Sequence, residues 1–433
     1  MCNDFTAAEA VITAGLDRVF PAAQIEVRQH SEVSWSAAYG WLDPETRTLP
    51  TQLDTHFDLA SVTKLFVVSA FMTLVEAGVV DLDQPVATVL PEFSGQRPIR
   101  PYDDPLRPGV TIAVAWEGAQ PTTVDAGRVT FRHLLTHTSG LPAWRPLYKE
   151  GSPDAARRVA LTTTFSYPTG ARIIYSDIGL ILIGMAMESL TGQPLDEAVY
   201  QRVTEPLGLA DTRYRRISES ANQRISDVSP LSTIRYSPFA IRNVAPTEFC
   251  AWRQRRVIGE VHDENAAGLG GVAGHAGLFS TAHELAEFGV SFLQISKLAN
   301  QQIGKLANQR ISESAPQGSG ITHHASRFTL DVSRRGLLPT TIAEMTRLQA
   351  QDGTTRRGLG FMLWSSDPEA SGNPFGERAF GHTGFTGTSL WIDPARELVV
   401  ACLTNRVYYG RTAAGILEFR VALHPAIVEA IDA

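Results

Sequence analysis

Ser61 and Lys64 stand three residues apart in Phe57-Asp58-Leu59-Ala60-Ser61-Val62-Thr63-Lys64-Leu65-Phe66. That spacing puts a hydroxyl and an amine on one face of a helix. Val62, Leu65, Phe66, Ser69, Ala70, Met72, Thr73 and Val75 continue a largely apolar helical rhythm that Gly78 stops, so Ser61 falls at the helix N-terminus. An amine among apolar side chains is expensive to keep charged, which lowers its pKa and equips Lys64 to take the serine proton. The unpaired N–H groups of a helix start can bind the oxyanion formed when serine attacks a carbonyl. By itself S-x-x-K also arises by chance, and a serine at a helix start is ordinarily an N-cap.

Two later stretches change the weight of that pair. Tyr175-Ser176-Asp177 follows Pro168-Thr169-Gly170 and precedes an apolar helix from Ile178, and His382-Thr383-Gly384 lies between strand-like Phe380 and Phe385-Thr386-Gly387-Thr388. With Ser61 and Lys64 they resemble the signature motifs S-x-x-K, Y-x-N and K-T-G of the serine β-lactamase and penicillin-binding-protein superfamily. The flanking phrases Leu134-Leu135-Thr136-His137-Thr138-Ser139-Gly140-Leu141 and Gly274-His275-Ala276-Gly277-Leu278-Phe279-Ser280 match as well. Tyrosine in the second motif is most similar to the class C β-lactamase-like branch, which includes D-peptidases and family VIII carboxylesterases.

The resemblance implies acylation of Ser61 followed by hydrolysis of the acyl-enzyme, with Lys64 and Tyr175 as proton relay and Tyr175 as general base and acid. It also implies an oxyanion site made by the N–H groups of Ser61 and Phe385. Gly384, without a side chain, would let substrate lie along the strand edge beside Thr383. Small esters, amides or β-lactams are the substrate class, with no cofactor and no metal. Two letters depart from the pattern. Asp177 replaces asparagine; when ionised it donates no hydrogen bond, and it favours a charged Lys64, which moves the base role toward Tyr175. His382 replaces lysine and is mostly uncharged at neutral pH, so it attracts a substrate carboxylate less. Both favour an esterase or D-peptidase, with hydrolysis of p-nitrophenyl esters and slow or absent cephalosporin turnover. A true class C-like β-lactamase and a non-hydrolytic penicillin-binding sensor are the alternatives.

The rest of the chain must position these groups. Its 433 residues, 43% hydrophobic and 19% charged, can bury a large core in two or three structural units. A net charge of −7 without a Lys/Arg stripe excludes a nucleic-acid footprint and gives no sign of an anionic membrane surface. Three distant cysteines make neither a disulfide framework nor a C-x-x-C site. Met1 to Thr6 does not open a secretory signal, and no eighteen-residue apolar span occurs, so a cytoplasmic location is the expectation, with a periplasmic or secreted one the alternative if a leader has been removed. The sequence leaves oligomeric state open.

The family architecture implied is α+β: an antiparallel sheet flanked by helices, built from residues 1–85 and 261–433, with a mostly helical region, 86–260, inserted. Thr6-Ala7-Ala8-Glu9 reads as a capping box opening a helix that ends at Pro21, and Ile25–Arg28 and Val33–Tyr39 read as strands. A Pro-rich crossing runs from Asp81 to Ile112, then a short helix at Phe131–Leu135, a strongly apolar one at Ile178–Leu190 and another at Leu195–Val203. The glycine-dense 268–277 stretch lacks the G-x-x-x-x-G-K-[ST] pattern and reads as close-packed backbone beside a cleft, with Leu278-Phe279-Ser280-Thr281 opening a helix. Gly358–Trp364, Phe380–Thr383, Thr388–Ile392 and Leu398–Thr404 read as strands, and a closing helix from Ala413 to Ile431 kinks at His424-Pro425. Short polar strings shared by 216–226 and 307–314, and by 297–301 and 305–309, read as surface insertions. His133 and His137, at i and i+4, and His262-Asp263-Glu264 make no H-E-x-x-H, so they read as core or surface residues. Tyr148, Tyr236 and Trp252 are scattered aromatics, read as packing rather than as an acyl pocket.

Overall fold

A computed structural model describes residues 3–433 except 108, 120, 218–242, 295–336 and 413. Eight strands pair antiparallel in the spatial order Ala350–Asp352, Thr355–Arg357, Met362–Leu363, Phe380–Thr383, Ser389–Asp393, Leu398–Thr404, Ala22–Gln29, Glu32–Gly40. The two ends of the chain meet inside this sheet, one strand in from its Glu32–Gly40 edge, where Ala23 opposes Thr404 and Gln29 opposes Leu398. Leu398–Thr404 is apolar on both faces because both are covered. Val400 and Cys402 face the helices Thr6–Gly15 and Ile416–Asp432, packing with Ile12, Phe419 and Leu423. Val399, Ala401 and Leu403 face the opposite core, which holds Phe66 and Phe288, stacked at 4.0 Å.

That second core is centred on Thr63–Glu76, in which eleven of the fourteen residues are buried. A helix apolar on nearly every side must be enclosed, and here the sheet lies on one side and the Asp177–Thr191 helix on another. Gly78, at φ +68°, ends it. Ser176 caps the Asp177–Thr191 helix by accepting from the Gly179 N–H at 3.3 Å, and left-handed Gly192 closes it. Among the described residues no single helix is long and apolar enough to cross a membrane.

Several local expectations need correction. The first helix is not opened by a Thr6 capping box: Phe5 is its N-cap, and Asp4 Oδ1 accepts from the Thr6 N–H at 2.9 Å. It ends at Gly15 rather than Pro21, because the chain doubles back there and Val19 N–H bonds to Gly15 O at 2.8 Å. Leu278–Ser280 is a strand, pairing Phe279 with Asp58 and Ser280 with Phe57; the helix begins only at 282. The Gly358–Trp364 run turns where Gly358 N–H meets Phe361 O at 3.0 Å, leaving Met362–Leu363 as the strand and adding an unforeseen hairpin, Ala350–Asp352 with Thr355–Arg357. The closing helix spans Ile416–Asp432 and continues past Pro425. Most of the repeated polar strings, and Tyr236, lie outside the described residues.

The 268–277 stretch is close-packed as expected. A Cβ on Gly274 would sit 1.9 Å from Leu180 O and 3.0 Å from Gly184 N, both on the Asp177–Thr191 helix. Gly274→Ala should therefore force that helix away, costing about 1–3 kcal/mol, the range for overpacking with backbone displacement. Thermal unfolding of the variant should begin several degrees below that of the unchanged protein; an unaltered melting curve would refute the contact.

Candidate active site

Ser61 lies in a single 3-10 turn, Ala60–Val62, that feeds directly into the Thr63–Glu76 helix, so it stands just ahead of the α-helix rather than at its first residue. Asp58 builds the turn: its Oδ1 accepts from Ala60 N–H at 2.8 Å and its Oδ2 from His262 N–H at 2.6 Å. Ala60 is held at φ +46°, a backbone state that a side chain makes costly and that recurs at functional sites.

Lys64 is fully buried. Its ammonium donates to Ser61 Oγ at 2.9 Å and to His275 O at 3.0 Å, and pairs with Asp177 Oδ1 at 2.8 Å. Burial pushes Lys64 toward neutrality, but the Asp177 carboxylate and the nearby Tyr175 oxygen outweigh it and leave its pKa above the ordinary value. The expectation that an apolar setting lowers the lysine pKa is thus overturned, and the carboxylate in place of asparagine is the reason.

Tyr175 places its ring centroid 4.9 Å from Lys64 Nζ, and its buried hydroxyl makes no aligned hydrogen bond. Burial raises the phenol pKa; Lys64 opposes this and Asp177 adds to it, and the net shift is upward. The phrase around Thr136-His137-Thr138 positions this segment. His137 Nδ1 accepts from Ser176 N–H at 3.1 Å, His137 O accepts from Ile174 N–H at 3.0 Å, and Ser176 Oγ donates to Pro142 O at 2.6 Å. His133 serves instead in the cap of Phe131–Leu135, so the i, i+4 histidines do not converge.

The third segment is fastened to the serine turn. Thr386 Oγ1 donates to Asp58 O at 2.7 Å and Thr388 Oγ1 to Leu59 O at 2.9 Å. Gly384 is also required here by packing: a Cβ would lie 2.0 Å from Thr388 Oγ1 and 2.6 Å from Leu59 O. Met362–Leu363 already covers the outer side of Phe380 and Gly381, so open strand edge begins only at His382. Ser61 N–H and Phe385 N–H make no hydrogen bond among the described residues. They are two free donors on adjoining, mutually bonded segments.

His382 is buried, with Nδ1–H donating to Thr383 O at 2.8 Å and Nε2 unpartnered. Burial, then the Lys64 and Arg357 cations, hold its pKa well below the ordinary 6.5, so it is neutral. A cavity of about 460 Å³ is lined by Ser61, Tyr175, Asp177, His382, Thr383, Gly384 and Phe385, with Lys64 just behind Ser61. All eight residues singled out in the sequence therefore meet in one place.

Sequence reasoning missed others. The His275 carbonyl holds Lys64, and the His275 ring meets Asp263 at 2.8 Å. Trp144 lines the cavity with Tyr148 and Trp252 in a chain of ring contacts behind it, and Arg357 lies with its guanidinium carbon 5.4 Å from the Tyr175 ring centroid. The flanking phrase containing His275 was visible, but nothing in Arg356-Arg357-Gly358 distinguishes a pocket residue from a surface one.

Known proteins resemble this chain along most of its length. An N-acetylmuramyl-L-alanine amidase from Bacillus subtilis (strain 168) is 30% identical over 404 residues, covering 89% of this chain and 77% of its own. A putative D-alanyl-D-alanine carboxypeptidase from Salmonella agona (strain SL483) is 26% identical over 414 residues, covering 90% and 80%. In fold, the class C β-lactamase of Rhodobacter sphaeroides superposes with a TM-score of 0.62 at 19% identity, over 98% of this chain and 99% of that one. The family model described as Beta-lactamase matches residues 8–422, and the chain belongs to that family.

Proposed function

We propose that this protein is a serine hydrolase that acylates Ser61 with small esters or amides and passes the acyl group to water. The observation that carries the reading is the contact between Ser61 Oγ and a charged, buried Lys64 at 2.9 Å, beside Tyr175 and two free N–H donors. A protonated amine cannot accept the serine proton, so Tyr175 takes it as phenolate while the Lys64 cation stabilises that form. Ser61 Oγ bonds to the carbonyl carbon, the oxyanion sits between the Ser61 and Phe385 N–H groups, and Tyr175 returns the proton to the departing oxygen or nitrogen. Water repeats the sequence to free the acid. The names of the amidase and carboxypeptidase relatives favour amides of peptidoglycan fragments as the first natural class to try. A neutral His382 continues to favour esters and peptides over rapid cephalosporin turnover.

Intact-mass spectrometry with a fluorophosphonate should find one adduct on Ser61, absent in Ser61→Ala. Tyr175→Phe should lower kcat/KM for p-nitrophenyl acetate by about 10²–10⁴, the usual worth of a general base. A lasting penicillin adduct with no ester turnover would favour the sensor instead, and nitrocefin hydrolysis without esterase activity the β-lactamase.

The pH profile follows from the charge state. A phenol raised above its ordinary 10 is mostly protonated at neutral pH, and its phenolate fraction grows about tenfold per pH unit below that pKa. We expect kcat/KM for a neutral ester to climb from pH 6 through pH 9, with no inflection from His382. Asp177 raises both Tyr175 and Lys64, so Asp177→Asn should move the climb to lower pH. It should also lower the melting temperature, since half-breaking a buried ion pair costs about 3 kcal/mol. A bell centred below pH 7 in the unchanged enzyme would contradict the assignment of Tyr175 as base.

A further inference from the structure

Three carbonyl oxygens in the turn that carries Phe385 accept from arginines. Arg406 Nε donates to Phe385 O at 2.8 Å, whereas Arg420 Nη2 uses both its hydrogens, on Gly384 O at 3.1 Å and on Thr388 O at 2.8 Å. Arg420 belongs to the closing helix Ile416–Asp432 and is buried, its Nε makes no hydrogen bond, and no carboxylate pairs with it among the described residues. Burial lowers its pKa to about 10, so the guanidinium keeps its charge at neutral pH. Burying an unpaired cation is costly, and a neutral amide would tie two carbonyls without that cost. The charge therefore calls for an explanation of its own.

One of the two carbonyls supplies it. Gly384 O and the Phe385 N–H are opposite ends of a single peptide group, in which the nitrogen shares its lone pair with the carbonyl. A cation bonded to the oxygen draws electron density across the group and leaves the N–H more positive, hence a stronger donor. Phe385 N–H is one of the two donors assigned to the oxyanion, and no group of the described residues accepts from it. Arg406 cannot act in the same way, because the oxygen it holds belongs to the next peptide group, whose N–H is that of Thr386. The Ser61 amide has no such partner either: Ala60 O accepts from the neutral Thr63 N–H.

We propose that Arg420 is a positioning residue of the oxyanion site that acts through its charge, polarising the Gly384–Phe385 peptide so that Phe385 N–H holds the tetrahedral oxyanion more strongly than the ground-state carbonyl. This rests on the serine hydrolase reading, because the oxyanion exists only once Ser61 attacks.

The competing role for Arg420 is a clip that ties the two ends of the turn. Arg420→Gln keeps an N–H donor and removes the charge, whereas Arg420→Lys keeps the charge; both would be compared with the unchanged full chain. Ser61 would be carbamoylated with p-nitrophenyl dimethylcarbamate carrying carbon-13 at the carbonyl. Ser61 Oγ bonds to that carbon, p-nitrophenolate leaves, and the serine proton passes to Tyr175 and on to solvent. Only folded protein forms this adduct, and its isotope-edited infrared band reports how hard the oxyanion donors pull on the carbonyl. We expect a band below that of an alkyl dimethylcarbamate in water for the unchanged protein and for Arg420→Lys, and an upward shift in Arg420→Gln. In Arg420→Gln, kcat for p-nitrophenyl acetate should fall about ten-fold with KM within about two-fold, less than the roughly 10²–10³ lost when a donor is deleted outright. Arg420→Lys should keep most of the rate. A glutamine variant whose band and kcat match the unchanged protein, whatever its melting temperature, overturns the proposal in favour of the clip, and so does equal loss in both variants. If Arg420→Gln does not fold, a band in the unchanged protein no lower than that of the free carbamate overturns the proposal, and a lower band retained in Arg420→Lys upholds it. If neither the carbamate nor a fluorophosphonate labels Ser61, the hydrolase reading itself fails.

Discussion

The buried ion pair between Lys64 and Asp177 is the constraint on which the site depends. It ties the central helix to the start of another that lies far away in sequence, and it settles which groups carry protons. A lysine buried without that carboxylate would tend to neutrality and act as a base; with it, the lysine is a fixed cation whose field acts on Ser61 and Tyr175. One atom's difference between an amide and a carboxylate thus reassigns the proton chemistry of neighbouring side chains.

Around that pair the fold supplies rigidity by enclosure. The Thr63–Glu76 helix is wrapped on nearly all sides, and the sheet behind it is sealed by helices on its other face. The 268–277 backbone, packed against the Asp177–Thr191 helix, brings the His275 carbonyl to the lysine ammonium. The lysine therefore has three partners, from the turn before its own helix, from another helix's start and from a loop, and its rotamer has little freedom left.

How much of this was legible in the sequence depended on whether the signal was local. Ser61 and Lys64 are one helical turn apart, and Tyr175, Asp177 and His382 sit in compact phrases, so residue type and order were enough to find them. The long apolar helices and the strand Leu398–Thr404 were equally plain, because burial writes itself as runs of apolar residues. Short strands were not: Ala350–Asp352 and Thr355–Arg357 are polar segments with no alternation to read, so nothing marked Arg357 as a residue of the cavity wall. The packing role of Gly384 was hidden for a related reason. Its constraint is a clash with Thr388 and Leu59, and Leu59 lies at the other end of the chain.

The hydroxyls of Thr386 and Thr388, bonded to the Asp58 and Leu59 carbonyls, join the loop carrying Phe385 to the turn carrying Ser61. The Trp144 side of the cavity takes part in neither bond. Tolerance toward differently shaped acyl groups and fidelity in stabilising negative charge are consequently separable properties of this scaffold. Drift in the lining can alter the first without eroding the second.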